Sequence, residues 1–160
     1  MSEIRLQFVL ASDWSSRLIA WYGQGYGGWS HVDAVLADGQ LLGARSDSVG
    51  GQPPGVQIRP SNYESWKRTQ MISIATTDKQ ASDWEGWLRT QVGFGYDKAD
   101  IIGLIIGRPI LEVGHWICSA LQFQAEKNIG IFPPDMPLID QQASPNTLLA
   151  CNYAIGARNV

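Results

Sequence analysis

Two apolar runs joined by an Asp-Gly turn constrain this chain more than any other feature. Trp29-Ser30-His31-Val32-Asp33-Ala34-Val35-Leu36 reads as a strand, Ala37-Asp38-Gly39-Gln40 as a turn, and Leu41-Leu42-Gly43-Ala44-Arg45 as the returning strand. Asp-Gly between such runs is a strong short-range hairpin signal, because the tight turn needs a backbone conformation that glycine adopts without steric cost. Side chains alternate across a strand, so His31, Asp33 and Val35 share one face and Val32, Ala34 and Leu36 the other. A histidine and a carboxylate thus leave one strand in the same direction.

Further strands read at Ile4–Leu10, where alternation gives way to a continuous apolar run, at Val56–Arg59 after the polar loop Ser46–Pro54, and at Gln70–Thr76. Helices read at Trp14–Tyr22 after the capping Ser12-Asp13, at Asp78–Arg89 with Trp84, Trp87 and Leu88 on one side, and after Asp97 through Ile105. Gly130 to Pro137 forms a Pro-containing loop, and Ser144-Pro145 opens a last helix with a capping serine and proline at the first position. At 160 residues, with no repeat, low-complexity tract or linker, the sequence predicts one α+β domain over residues 1–160.

A formal net charge of −3 and the lack of a Lys/Arg run argue against nucleic acid as a partner, since that binding rests on phosphate neutralisation. No segment has the apolar length of a membrane span, and Glu3 and Arg5 interrupt what would be a signal's apolar stretch. The expectation is a soluble protein without its own secretion signal. The two cysteines, Cys118 and Cys151, then stay reduced, with Cys151 packed on the buried side of the last helix. Gly23-Gln24-Gly25-Tyr26-Gly27-Gly28 matches GxGxxG in letters, but it follows a helix and precedes a strand. A phosphate-cradling loop needs the reverse order, so a rim loop is expected instead.

Downstream of Gly114, Ile117, Ala120, Leu121 and Ala125 recur at helical spacing, placing Cys118 in a first helical turn. There the unpaired N–H groups and the positive end of the helix dipole favour thiolate over thiol. Two readings stand for such a cysteine, a small core hydrophobe or an activated nucleophile, and a base partner separates them. His31 is the best partner, because Asp33 shares its face and a base held by a third polar group is how a thiol is commonly activated. The Cys118 N–H is a candidate oxyanion donor. Trp29, Trp116 and Tyr96 are either cleft walls or core. Together with Ser119 they are the substrate-binding candidates. His115 stands as a competing base or, with His31, Asp33 and Cys118, a metal ligand, although the spacing matches no strong zinc signature. No cofactor or metal is expected.

The ordered set Ser30-His31-Val32-Asp33-Ala34-Val35-Leu36, Leu42-Gly43-Ala44-Arg45, Gly55-Val56-Gln57-Ile58-Arg59, Gly95-Tyr96-Asp97, Trp116-Ile117-Cys118-Ser119-Ala120-Leu121 and Ser144-Pro145-Asn146-Thr147-Leu148 resembles the circularly permuted NlpC/P60 proteins. These are the papain-like group with YiiX-like and lecithin:retinol-acyltransferase-like members. The resemblance spans hairpin to last helix, with His before Cys. It implies a permuted papain-like fold, an antiparallel sheet packed against helices with the nucleophile Cys118 at a helix N-terminus and His31 as base. Two departures stand out. Family members commonly orient the histidine with a polar residue on the neighbouring strand, where this chain has Leu41-Leu42-Gly43-Ala44, so Asp33, a backbone carbonyl or water takes that part. Ala120 replaces a frequent glutamate.

The resemblance implies a thiol hydrolase of amide bonds in peptides or cell-wall peptide stems, and the lack of a signal stretch or membrane span leads to the expectation of a cytoplasmic or virion-associated protein. Two alternatives are a lipid acyltransferase or thioesterase, and a binding or structural module of a phage particle or other assembly that has lost activity. Oligomeric state is not legible.

Overall fold

A computed structural model of the chain describes residues 2–10, 28–97, 115–136 and 143–160. The helix expected over residues 14–22, the glycine loop up to Gly27, the apolar helix after Asp97 and the end of the Pro-containing loop lie outside the described residues. In chain order the elements are β1 (Ser2–Leu10), β2 (His31–Val35), β3 (Leu41–Arg45), β4 (Gly55–Arg59), β5 (Arg68–Thr76), α1 (Asp78–Thr90), β6 (Gly95–Tyr96), β7 (His115–Trp116), α2 (Cys118–Asn128), α3 (Pro145–Ala154) and β8 (Arg158–Asn159). The architecture is α+β.

Six strands form one antiparallel sheet in the order β4-β3-β2-β1-β5-β8, and β6 and β7 make a separate parallel pair. The hairpin forms as the Asp-Gly turn dictates, with Ala34 opposite Leu42 and Val35 opposite Leu41, and Gly39 at φ 81°. β1 is central, pairing Val9 with His31 on one side and with Thr69 on the other. It alternates between buried and exposed at Ile4, Arg5 and Leu6, then is buried continuously from Leu6 to Val9, because both faces are covered there. β5 begins two residues before the sequence indicates, and β8 is an addition the sequence does not announce. Both edges are too short or too polar to register as periodic apolar patterns.

Helix α2 packs on β2 and β3, α1 packs on β1 and α2, and α3 packs on α2. Leu6, Phe8, Val32, Leu42, Ile72, Leu121 and Phe123 are fully buried between sheet and helices. Each such side chain contributes about 1.5–3 kcal/mol of transfer free energy relative to exposure.

Side-chain caps start two of the helices. Thr77 Oγ1 accepts from the Gln80 N–H at 3.2 Å while Gln80 Oε1 accepts from the Thr77 N–H at 3.0 Å, and Ser144 Oγ accepts from the Thr147 N–H at 3.1 Å. Helix α2 differs. Its N-cap is Ile117, which makes no side-chain cap. Among the described residues no helix is long and apolar enough to cross a membrane.

Candidate active site

The chemistry-bearing residues sit where β2 begins and α2 begins. His31 opens β2 and Cys118 opens α2, so the packing of that helix on that strand brings imidazole and thiol together. Two amides hold the frame. Asn146 accepts from the Trp29 N–H at 2.8 Å and donates to the Trp29 carbonyl at 3.3 Å, fixing the chain just before His31. Gln122, one turn past Cys118, donates to the Leu42 carbonyl at 3.0 Å and ties α2 to β3.

Cys118 is 5 % exposed and free, as is the half-buried Cys151. Burial by itself raises a thiol's pKa. Against it act the charge of His31, a hydrogen bond with His31 and one from the Val32 backbone amide, and together they hold Cys118 below its ordinary value. The start of α2, which Ile117 leaves without a side-chain cap, adds N–H groups that have no partner within the helix and the dipole's positive end beside the sulfur.

The imidazole is governed in the same way. Its burial disfavours the charged form, but Asp33 and Cys118 overcome this and raise His31 to about 9. Nε2 contacts Asp33 Oδ1 at 2.8 Å, which leaves Nδ1 for the thiol. Asp33 is itself fully buried, and burial raises its pKa. The Arg59 guanidinium and the imidazolium outweigh that and keep it well below the usual carboxylate range. Arg59 Nη2 lies 2.5 Å from Asp33 Oδ1, and Tyr63 Oη donates to Asp33 Oδ2 at 3.3 Å. The expected sharing of one face by His31 and Asp33 is thus a direct contact. The polar residue absent from β3 has its counterpart on the histidine's own strand.

An aromatic roof from the loop between β4 and β5 covers the imidazole. Trp66 stacks over His31 with ring centroids 6.3 Å apart, and Tyr63 meets Trp66 edge-on at 5.4 Å. Arg45 lies 5.3 Å from the Tyr63 ring and 5.6 Å from the Trp66 ring, and pairs with Asp47 at 2.6 Å and Glu64 at 2.8 Å. Sequence reasoning missed Arg59, Tyr63 and Trp66. Aromatic residues in an otherwise polar loop are the one signal that points to Tyr63 and Trp66.

Of the other substrate-binding candidates, Tyr96 is half-buried and lies near enough to Cys118 to feel its charge. Burial raises its phenol strongly, and the neighbouring Cys118 charge raises it further. Trp116 is half-buried, donates from Nε1 to Gln91 Oε1 at 3.1 Å and meets Trp87 edge-on at 5.8 Å. The other two candidates are buried. Trp29 is 3 % exposed, belongs to the core and carries the Arg68 guanidinium 4.2 Å above its ring, which favours the core reading of the two it admits. Ser119 is wholly buried, because one residue along the helix from Cys118 turns its side chain into the protein, out of a substrate's reach.

His115 is exposed on β7 opposite Gly95, where a Cβ at Gly95 would fall 2.2 Å from its ring. Among the described residues no group of three or more His, Cys, Asp or Glu is arranged to hold a metal ion. The chain matches none of the protein-family models and none of the curated proteins against which it was compared.

Proposed function

We propose that the chain is a thiol hydrolase of amide bonds, arranged as in the permuted NlpC/P60 proteins, with Cys118 as nucleophile, His31 as acid and base, and Asp33 orienting the imidazole. One observation carries this reading: a cysteine at an uncapped helix start, its thiol held below the ordinary value mainly by the charge of a histidine whose Nε2 is 2.8 Å from a buried carboxylate. The order of strand-borne histidine before helix-borne cysteine, on an antiparallel sheet, supports the permuted arrangement.

In this reading the Cys118 thiolate attacks the scissile carbonyl carbon. The carbonyl oxygen takes up the displaced electron pair and is stabilised by the Cys118 N–H. As the tetrahedral adduct collapses, the C–N bond breaks and the imidazolium proton passes to the leaving amine, giving an acyl-enzyme thioester. Neutral His31 then removes a proton from water, the hydroxide attacks the thioester, and Cys118 departs as thiolate with its imidazolium partner restored. The resemblance supports peptides or cell-wall peptide stems as the substrate class.

Acyl-enzyme formation with p-nitrophenyl acetate tests the first half of this cycle. The expected result is a burst of p-nitrophenolate with the acetyl group mapped to Cys118, abolished in Cys118→Ala. A burst that persists in Cys118→Ala, or acetyl groups on Cys151 alone, contradicts the reading and favours a binding module.

A further inference from the structure

We propose that Arg59 is a positioning residue for the His31 base, acting through Asp33 from two strands away, in a space that Gly43 keeps open. This rests on the reading of Cys118 and His31 as the reacting pair.

Residues two apart on a strand lie roughly 7 Å apart along it, and their side chains stand away from the sheet. Asp33 can meet His31 Nε2 only if its carboxylate is held along the strand and not upright. Two features hold it. The first is a void on β3: a Cβ at Gly43 would fall 2.0 Å from Asp33 Oδ1 and 3.1 Å from its Cγ. Any side chain there would displace the carboxylate. The second is Arg59 on β4, which pairs with β3 and not with β2. Its guanidinium crosses β3, donates from Nη1 to the Gly43 carbonyl at 3.1 Å and to Gln57 Oε1 at 3.3 Å, and places Nη2 2.5 Å from Asp33 Oδ1. The Tyr63 ring closes over it at 4.8 Å.

The carboxylate oxygen that Arg59 holds is the one that contacts His31 Nε2. The arginine therefore sets where the imidazole can sit. It also keeps Asp33 ionised, so that Asp33 accepts the Nε2–H and Nδ1 is left toward the thiol. Stability alone does not account for this arrangement. A buried ion pair is often no more stabilising than apolar residues of the same volume, and Arg59 Nε is buried without a hydrogen-bond partner among the described residues. A guanidinium anchored through Nη1 on a backbone carbonyl, presenting Nη2 to one carboxylate oxygen in a fixed direction, is, in contrast, suited to orienting that oxygen.

The test combines imidazole NMR with Cys118 alkylation by iodoacetamide across pH, in wild type, Arg59→Met, Arg59→Lys and Gly43→Ala. With only two histidines in the chain, His115→Gln assigns the His31 resonances. The expected wild-type spectrum has a downfield, slowly exchanging His31 Nε2–H. In Arg59→Met and Gly43→Ala this signal is lost, Cys118 alkylation near pH 6 falls roughly tenfold, and a new acid limb marks protonation of Asp33. Arg59→Lys, which keeps the charge without the fork, falls between. Gly86→Ala, on α1 with open space at the Cβ, leaves both readouts unchanged.

If Arg59→Met does not fold, Gly43→Ala and Arg59→Lys carry the same expectation. Folded variants that keep the wild-type resonance and pH profile overturn the role of Arg59 and Gly43 while leaving the Cys118–His31 pair intact. A wild type in which Cys118 reacts as an ordinary thiol overturns the pair itself, and this inference with it.

Discussion

Two buried polar clusters of this protein are equally cut off from water and behave in opposite ways. Around β2, Asp33 and Arg59 are both wholly buried, yet each has charged and neutral partners, and the guanidinium and the imidazole hold the Asp33 carboxyl well below the usual carboxylate range. Inside α2, Glu126 is also wholly buried, but its Oε1 has only the Asn152 amide at 3.4 Å, and Oε2 has no hydrogen-bond partner among the described residues. Burial pushes Glu126 well above the ordinary carboxyl value, and that single amide opposes it only weakly. Burial therefore does not decide the charge state; the number and sign of the partners do. In the proposed site a carboxylate that orients a base needs a cation beside it; Asp33 has a buried arginine, and among the described residues Glu126 has none.

Removing the cation should show the largest difference. Arg59→Met leaves Asp33 as a buried charge without its main partner, and we expect a loss of about 3–5 kcal/mol in urea denaturation. The double variant Asp33→Val/Arg59→Met should regain most of that loss while staying unreactive at Cys118. A double variant as unstable as Arg59→Met breaks the distinction between a pair kept for position and one kept for stability. Gly43→Ala should cost about 1–3 kcal/mol, because the added methyl overlaps the Asp33 carboxylate.

The clusters also predict distinct dependences of stability on pH. Glu126 has a folded value above its unfolded one. Its contribution is fully present below about pH 4.3 and is lost at up to about 1.4 kcal/mol per pH unit as pH rises toward the folded value. Glu126→Gln should flatten that slope. His31, raised from 6.5 to about 9, adds stability that is fully present below pH 6.5 and lost as pH rises through 9. Asp33 has the reverse sign: its contribution is present above about pH 3.9 and lost as pH falls through its depressed folded value. Urea midpoints measured across pH for wild type and Glu126→Gln separate these windows. The smallest effect is expected at Gly86 in α1, where nothing lies within 4 Å of an added Cβ; Gly86→Ala should stabilise by about 0.5–1 kcal/mol, read as a rise in urea midpoint.

The parts of this arrangement that were legible in the sequence are the local ones. Period-two alternation put His31 and Asp33 on one face, the Asp-Gly turn set the hairpin, and helical spacing downstream of Gly114 put Cys118 in the first turn of α2. Arg59 was not legible, because it lies 26 positions from Asp33 and reads as the polar end of a short strand. Gly43 looked like a missing orienting residue, and only the carboxylate lying over it shows that the lack of a side chain is what admits Asp33. The burial of Trp29 and Ser119 was not legible for a related reason. Closeness in sequence to His31 and Cys118 says nothing about which way a side chain turns into a core that accepts an aromatic ring or a small hydroxyl equally well.

The most direct test of the central claim is the rate of Cys118 alkylation by iodoacetamide as a function of pH, in wild type and His31→Ala, with Cys118→Ser used to subtract labelling of Cys151. A thiolate paired with imidazolium predicts rapid alkylation near pH 6, well below the free-thiol value of about 8.5, and a loss of roughly a hundredfold in His31→Ala. Alkylation of Cys118 that follows an ordinary thiol titration and ignores His31 would contradict the account.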